Sequence, residues 1–168
     1  TKENNMGFEI DGKRGVANYY GVRTTNGKFG GQQSTKNGVV KSAVWDFDYN
    51  DLPNYGSNGL QFVLPANATI VSAKLYVDVA FTSTSTTTDL NIGLYTSAGS
   101  AIDADGLIAA AEATQTAIGT AGNVVTGAGA LVGKTIGSSA GELVVAPSVD
   151  DLLTGAGRIV VEWVYNKD

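Results

Sequence analysis

The sequence predicts an all-β protein: an antiparallel β-sandwich, jelly-roll-like, with an extended N-terminal arm over residues 1–38, a body over residues 39–168, and one or two short helical turns. Three observations predict it. Apolar and polar residues alternate at period two in short runs, as they do when one face of a strand meets a core and the other meets water. Seven or eight such runs follow one another at regular spacing, separated by glycine and polar turn residues, the pattern of sandwiches and jelly rolls. No long amphipathic helix interrupts them, which argues against an α/β enzyme.

The elements follow in order. Residues 19–38, YYGVRTTNGKFGGQQSTKNG, hold two Asn-Gly steps and a Gly-Gly step with little periodicity. Asn-Gly favours tight turns because both residues tolerate positive φ. Such a segment has little core of its own and is expected to order by docking on something else. From Val39 the pattern becomes period two: Ala43, Trp45, Phe47 and Tyr49 fall on one side, Ser42, Val44, Asp46 and Asp48 on the other. Residues 50–59, NDLPNYGSNG, break this strand with Pro53 and two glycines. LQFVL (60–64) is a short strand. In TIVSAKLYVDVAFT (69–82), Leu75, Val77, Val79 and Phe81 share a face opposite Lys74, Tyr76, Asp78 and Ala80. STSTTT (83–88) is a polar connection, and LNIGLY (90–95) points Leu90, Ile92 and Leu94 inward. Residues 97–106 read as a turn region, and the alanines of LIAAAEA (107–113) favour a short helix. Residues 116–136 read as short strands broken by glycine, and GELVVAPS (141–148) as another strand. SVDDLLTG (148–155) has the signals of one helical turn: Ser148 as N-cap, Asp150 and Asp151 in the first turn, Gly155 as the stop. RIVVEWVYN (158–166) alternates Ile159, Val161, Trp163 and Tyr165 against Val160, Glu162 and Val164.

Composition narrows the function. Of 168 residues, 43% are hydrophobic and only 16% charged, against a typical charged content of about 25%, so enough apolar surface exists to offset chain entropy. With 22 glycines and many small polar residues, the chain suits flat contact surfaces. It has no cysteine, which excludes disulfides and thiolate chemistry. It has no histidine, which excludes Ser-His-Asp and Cys-His catalysis and His-ligated zinc. No apolar run reaches the roughly 18–20 residues that cross a bilayer, and TKENNMGFEI carries no signal-peptide core. Thr1 is what removal of an initiator Met leaves, so the start is expected to lie close by, with synthesis and assembly in the cytoplasm. Residues 1–40 carry six Lys or Arg against three acids, or +3, and residues 41–168 carry five against 13, or −8, giving the net −5. A mildly basic arm on an acidic body fits a chain that reaches onto an acidic partner. It does not fit nucleic acid, because the body repels phosphate and the arm lacks a dense basic run.

Several stretches invite chemistry and have plainer readings. Asp103, Asp105 and Gly106 begin like a calcium loop, but Thr114 stands where an EF-hand needs its twelfth-position carboxylate. The plainer reading is a turn held by aspartate side chains. Asp46 and Asp48 share a strand face, about 7 Å apart from strand rise alone, and could serve a glycosidase. A solvated face explains them as well, and a helix N-terminus explains Asp150 and Asp151. Tyr19, Tyr20 and Tyr55 lie outside clear strands and are the better candidates for stacking on sugars. The glycines of 119–133 lack the Lys-Ser/Thr ending of a phosphate loop, and the sequon Asn67-Ala68-Thr69 matters only in a secreted chain.

GVRTTNGKFGG (21–31), VKSAVWDFDYNDLPNYG (40–56), LPANATIVSAKLYVDVAF (64–81), LNIGLY (90–95), IDADGL (102–107) and GALVG (129–133) resemble head-associated structural proteins of tailed bacteriophages, the capsid decoration proteins. The strand-like string LPANATIVSAKLY is generic to jelly rolls and also resembles carbohydrate-binding and adhesion modules. The basic glycine-rich lead followed by an aromatic strand and DLP is more particular. The resemblance implies a virion protein on the capsid exterior, docked on the major capsid protein and clamping neighbouring subunits, self-associated as a trimer, with no cofactor, no membrane and no nucleic-acid partner. It implies no catalysis. Residues 1–38 are then expected to make the principal capsid contact, with Arg14, Arg23, Lys28, Lys36, Tyr19 and Tyr20 as contact residues. The alternative function is a sugar-binding or adhesion module of a phage fibre or cell-surface protein.

Overall fold

A computed structural model describes residues 19–20, 31–32, 40–54 and 63–165. The chain forms two compact units, Thr1–Val39 and Val40–Asp168. In the first, β1 (Tyr19–Tyr20) pairs antiparallel with β2 (Gly31–Gln32), Tyr19 opposite Gln32 and Tyr20 opposite Gly31. Tyr19 and Tyr20 therefore stand in a strand, which the sequence reading did not give them. A two-residue ladder is too short to carry a period-two signal.

The second unit is built on β3 (Lys41–Asp48), β4 (Val63–Leu64), β5 (Ala68–Ser83), β6 (Leu90–Tyr95), β7 (Ala101–Ile108), the short helix α1 (Gln115–Ile118), β8 (Val124–Thr126), β9 (Gly141–Pro147) and β10 (Leu152–Tyr165). They form two four-stranded sheets of order β3-β10-β5-β8 and β4-β9-β6-β7, antiparallel throughout. One hydrophobic core joins them, as the all-β antiparallel sandwich requires. The register makes the alternation visible. Trp45, Ile159, Leu75 and Val125 lie in one row across the first sheet, and all are buried. The next row, Asp46, Arg158, Tyr76 and Val124, faces out. Leu90, Ile92 and Leu94 of β6 meet that core from the second sheet, as their spacing predicts. Each such side chain contributes about 1.5–3 kcal/mol by leaving water.

β5 does not alternate evenly along its length. Glu162 pairs with Ser72 and Trp163 with Ile70, so Val71 is left over in a bulge and is exposed. The bulge flips the inward set from Ala68 and Ile70 to Ala73, Leu75 and Val77. Further irregularities flank Ala156, which pairs with Val79, and they turn Val79 outward at 54% exposure, contrary to the expected shared face with Leu75 and Phe81.

Three other expectations are corrected. The turn expected over 97–106 is confined to the β6–β7 connection, where Thr96 N–H donates to Ser100 O and Gly99 N–H to Thr96 O, both at 2.8 Å. β7 then runs through Asp103 and Asp105. Residues 107–113 close β7 and make one turn, with Glu112 N–H on Ala109 O at 2.9 Å. The helix itself comes later at Gln115–Ile118, capped by Thr114, whose hydroxyl accepts from Ala117 N–H, and it buries Ile118. Residues 148–155 are not a helical turn. Ser148 exchanges hydrogen bonds with Asp89, its N–H to Asp89 O at 2.9 Å and its Oγ accepting Asp89 N–H at 3.0 Å. Leu152 then opens β10 opposite Ser83, so strand pairing overrides a local cap signal. A 3₁₀ turn appears instead at Tyr49–Asn54, after β3. There the Asp48 carboxylate accepts Asn50 N–H at 2.7 Å, the Asp51 carboxylate accepts Asp48 N–H at 2.9 Å, and Leu52 plugs the core. Of residues 116–136, only Val124–Thr126 forms a named strand; Thr135 makes a single bridge to Thr69.

Gly155 shows how tightly the core closes. Its φ is +127°, and a Cβ there would lie 2.0 Å from Phe81 Cδ1 and 2.4 Å from its Cγ. Phe81 is fully buried and stacks on Phe47 at 5.7 Å, so it has nowhere to retreat. Gly155→Ala is expected to cost about 2–4 kcal/mol in urea unfolding. A loss under about 0.5 kcal/mol, the size of an ordinary surface change, would contradict this packing.

Candidate functional site

Arg14, Arg23, Lys28 and Lys36 lie outside the described residues, as does Tyr55. Tyr19 and Tyr20 are placed by their backbone in β1. The geometry on which a site can be built is that of the second unit.

The outer face of β3-β10-β5-β8 presents exposed Val44, Asp46, Asp78 and Arg158. Most charges on it are already satisfied. Arg158 grips Asp78 with two hydrogen bonds, Nε to Oδ2 at 3.1 Å and Nη2 to Oδ1 at 3.2 Å, and its guanidinium lies 5.5 Å from the Tyr76 ring centroid. Both partners are about half exposed, so the pair contributes about 1 kcal/mol or less to stability. Glu162 accepts from Ser72 Oγ at 2.7 Å. Between these pairs Val44 and Val160 face each other in register, and Val44 is 55% exposed. At one end of the face an open depression of about 430 Å³ is lined by Asp46, Asp48, Asp51, Asp78, Phe47, Ala156 and Gly157.

Asp46 and Asp48 both point outward, as their spacing predicts. They share one exposed, solvent-open environment, whereas acid–base hydrolysis needs two carboxyls in different environments. Asp103 and Asp105 lie on β7 rather than in a loop, with Asp105 N–H reaching Asp103 Oδ1 at 3.4 Å. Thr114, at the twelfth position of the abortive calcium pattern, caps α1. Among the described residues no group of three or more carboxylates is placed to hold a metal ion.

Asp103 is the one described carboxyl held above its ordinary value of 3.8. Partial burial disfavours its charge first, and a hydrogen bond shared with the Asp105 side chain adds to this, against opposition from the Asp105 N–H and, less strongly, from Lys134. Its stabilising contribution is thus fully present below 3.8 and is lost as pH rises through the raised value. Asp103→Asn has no charge to desolvate, so its urea midpoint is expected to gain on the parent's between about pH 3.5 and pH 7. A difference that stays flat over that range would show that the carboxyl is not penalised. Asp150 moves the other way: the Thr84 hydroxyl and Asp151 N–H hold its carboxyl below the usual range.

The aromatic residues are mostly structural. Trp45 stacks on Phe47 with centroids 5.0 Å apart, and Phe47 continues to Phe81, all inside the core. Tyr49 and Trp163 pack against the core edge, and Lys41 Nζ sits 5.0 Å from the Trp163 ring centroid. Trp45 therefore offers no sugar platform. Sequence alone did not find the features that distinguish the outer face, the Arg158–Asp78 and Glu162–Ser72 pairs, because each joins residues far apart in the chain.

Among the described residues no helix is long and apolar enough to cross a membrane. The fold has solved counterparts. The chain is similar to a chain in the capsid of Ralstonia phage GP4, with a TM-score of 0.53 and 22% identity, covering 81% of this chain and 90% of that one. It is also similar to a chain in the cyanophage Pam1 capsid asymmetric unit, with a TM-score of 0.46 and 18% identity, covering 86% of this chain and 98% of that one. No protein-family model matches the chain, and no curated protein matches it significantly.

Proposed function

We propose that the chain is a structural protein of a tailed-phage head that binds the outer surface of the assembled shell and clamps neighbouring subunits of the major capsid protein. The observation that carries this reading is the likeness of fold to a chain of a phage capsid, which spans most of both chains. The strand order β3-β10-β5-β8 over β4-β9-β6-β7 agrees with an eight-stranded jelly roll. A clamp needs wide, preformed contact area and no reacting groups, and a sandwich closed on one hydrophobic core suits that need. Whatever binds only the assembled shell stabilises that shell by mass action. In this reading the arm, residues 1–38, makes the principal contact, with Arg14, Arg23, Lys28, Lys36, Tyr19 and Tyr20 against acidic patches of the capsid. The body, residues 39–168, adds area and contacts other copies of itself. The protein then sits on the virion exterior after assembly in the bacterial cytoplasm.

The test uses purified heads that lack this protein. Added chain is expected to co-sediment with them in saturating, multi-copy amounts and to raise their resistance to heat. A chain that instead closes into empty shells by itself is the shell protein, and the clamping role then falls. Failure to bind mature heads at all would also remove it.

A further inference from the structure

We draw no further inference here: the strongest candidate, the open depression lined by Asp46, Asp48, Asp51 and Asp78 at one end of the outer face of β3-β10-β5-β8, is a cluster of acidic side chains, and nothing else among the described residues shows what it would bind.

Discussion

Gly93→Ala is expected to cost more than about 4 kcal/mol, which for a domain of this size means little soluble folded protein. Gly93 sits in the middle of β6, with Val144 of β9 opposite. On the other side β7 does not run past it evenly. Ile92 pairs with Ile108 and Leu94 with Asp103, so the residues between make an excursion opposite Gly93. That excursion fills the place of a side chain: a Cβ on Gly93 would lie 2.1 Å from Asp103 O, 2.3 Å from Ala104 C and 2.4 Å from Ala104 O. All three are backbone atoms, and no rotamer change moves them. Relief requires moving β7, which carries the fully buried Leu107 and Ile108 into the core. The measurement is soluble yield with urea unfolding of whatever folds. A midpoint within about 1 kcal/mol of the parent would mean that β7 yields where the structure has it fixed.

Deleting residues 1–38 is expected to leave a folded body that no longer binds heads. The core residues Trp45 through Val161 all belong to Val40–Asp168, so the truncated chain is expected to keep that core. Circular dichroism and the urea midpoint of the truncated chain should match the parent's. Co-sedimentation with heads should fall to background, because the arm holds six of the eleven positive charges. Arg23→Ala alone should lower binding by about 1 kcal/mol or less if its contact is wet and rim-like. Full binding by the truncated chain would move the contact to the body and end the role assigned to the arm.

Much of the sandwich was legible because its signals are local. Trp45 and Phe47 alternate with Asp46 and Asp48 on a single strand, and Leu90, Ile92 and Leu94 repeat the same logic. What failed depended on partners far away in sequence. The inward set of β5 changes parity at Val71 because of how β10 registers against it, and nothing in the residues around Val71 encodes that bulge. The helix expected at 148–155 has good local capping, yet Ser148 is claimed by Asp89 and Leu152 by Ser83. The role of Gly93 was hidden because it lies in the backbone of another strand.

The place of β10 also bears on how the chain is made. It is flanked on both sides, by β3 and by β5, and supplies the partner for the long edge of each. Both flanking strands leave the ribosome well before residues 152–165 do. Until then they wait with open hydrogen-bonding edges and sticky inner faces, the state from which nascent β proteins aggregate. Closure of the first sheet is therefore a late, non-local event, and renaturation should be slow, in the range of milliseconds to seconds. Wherever many copies are made at once, the speed of that final zipping, and any chaperone that shields β3 and β5 meanwhile, would set the yield of folded chain.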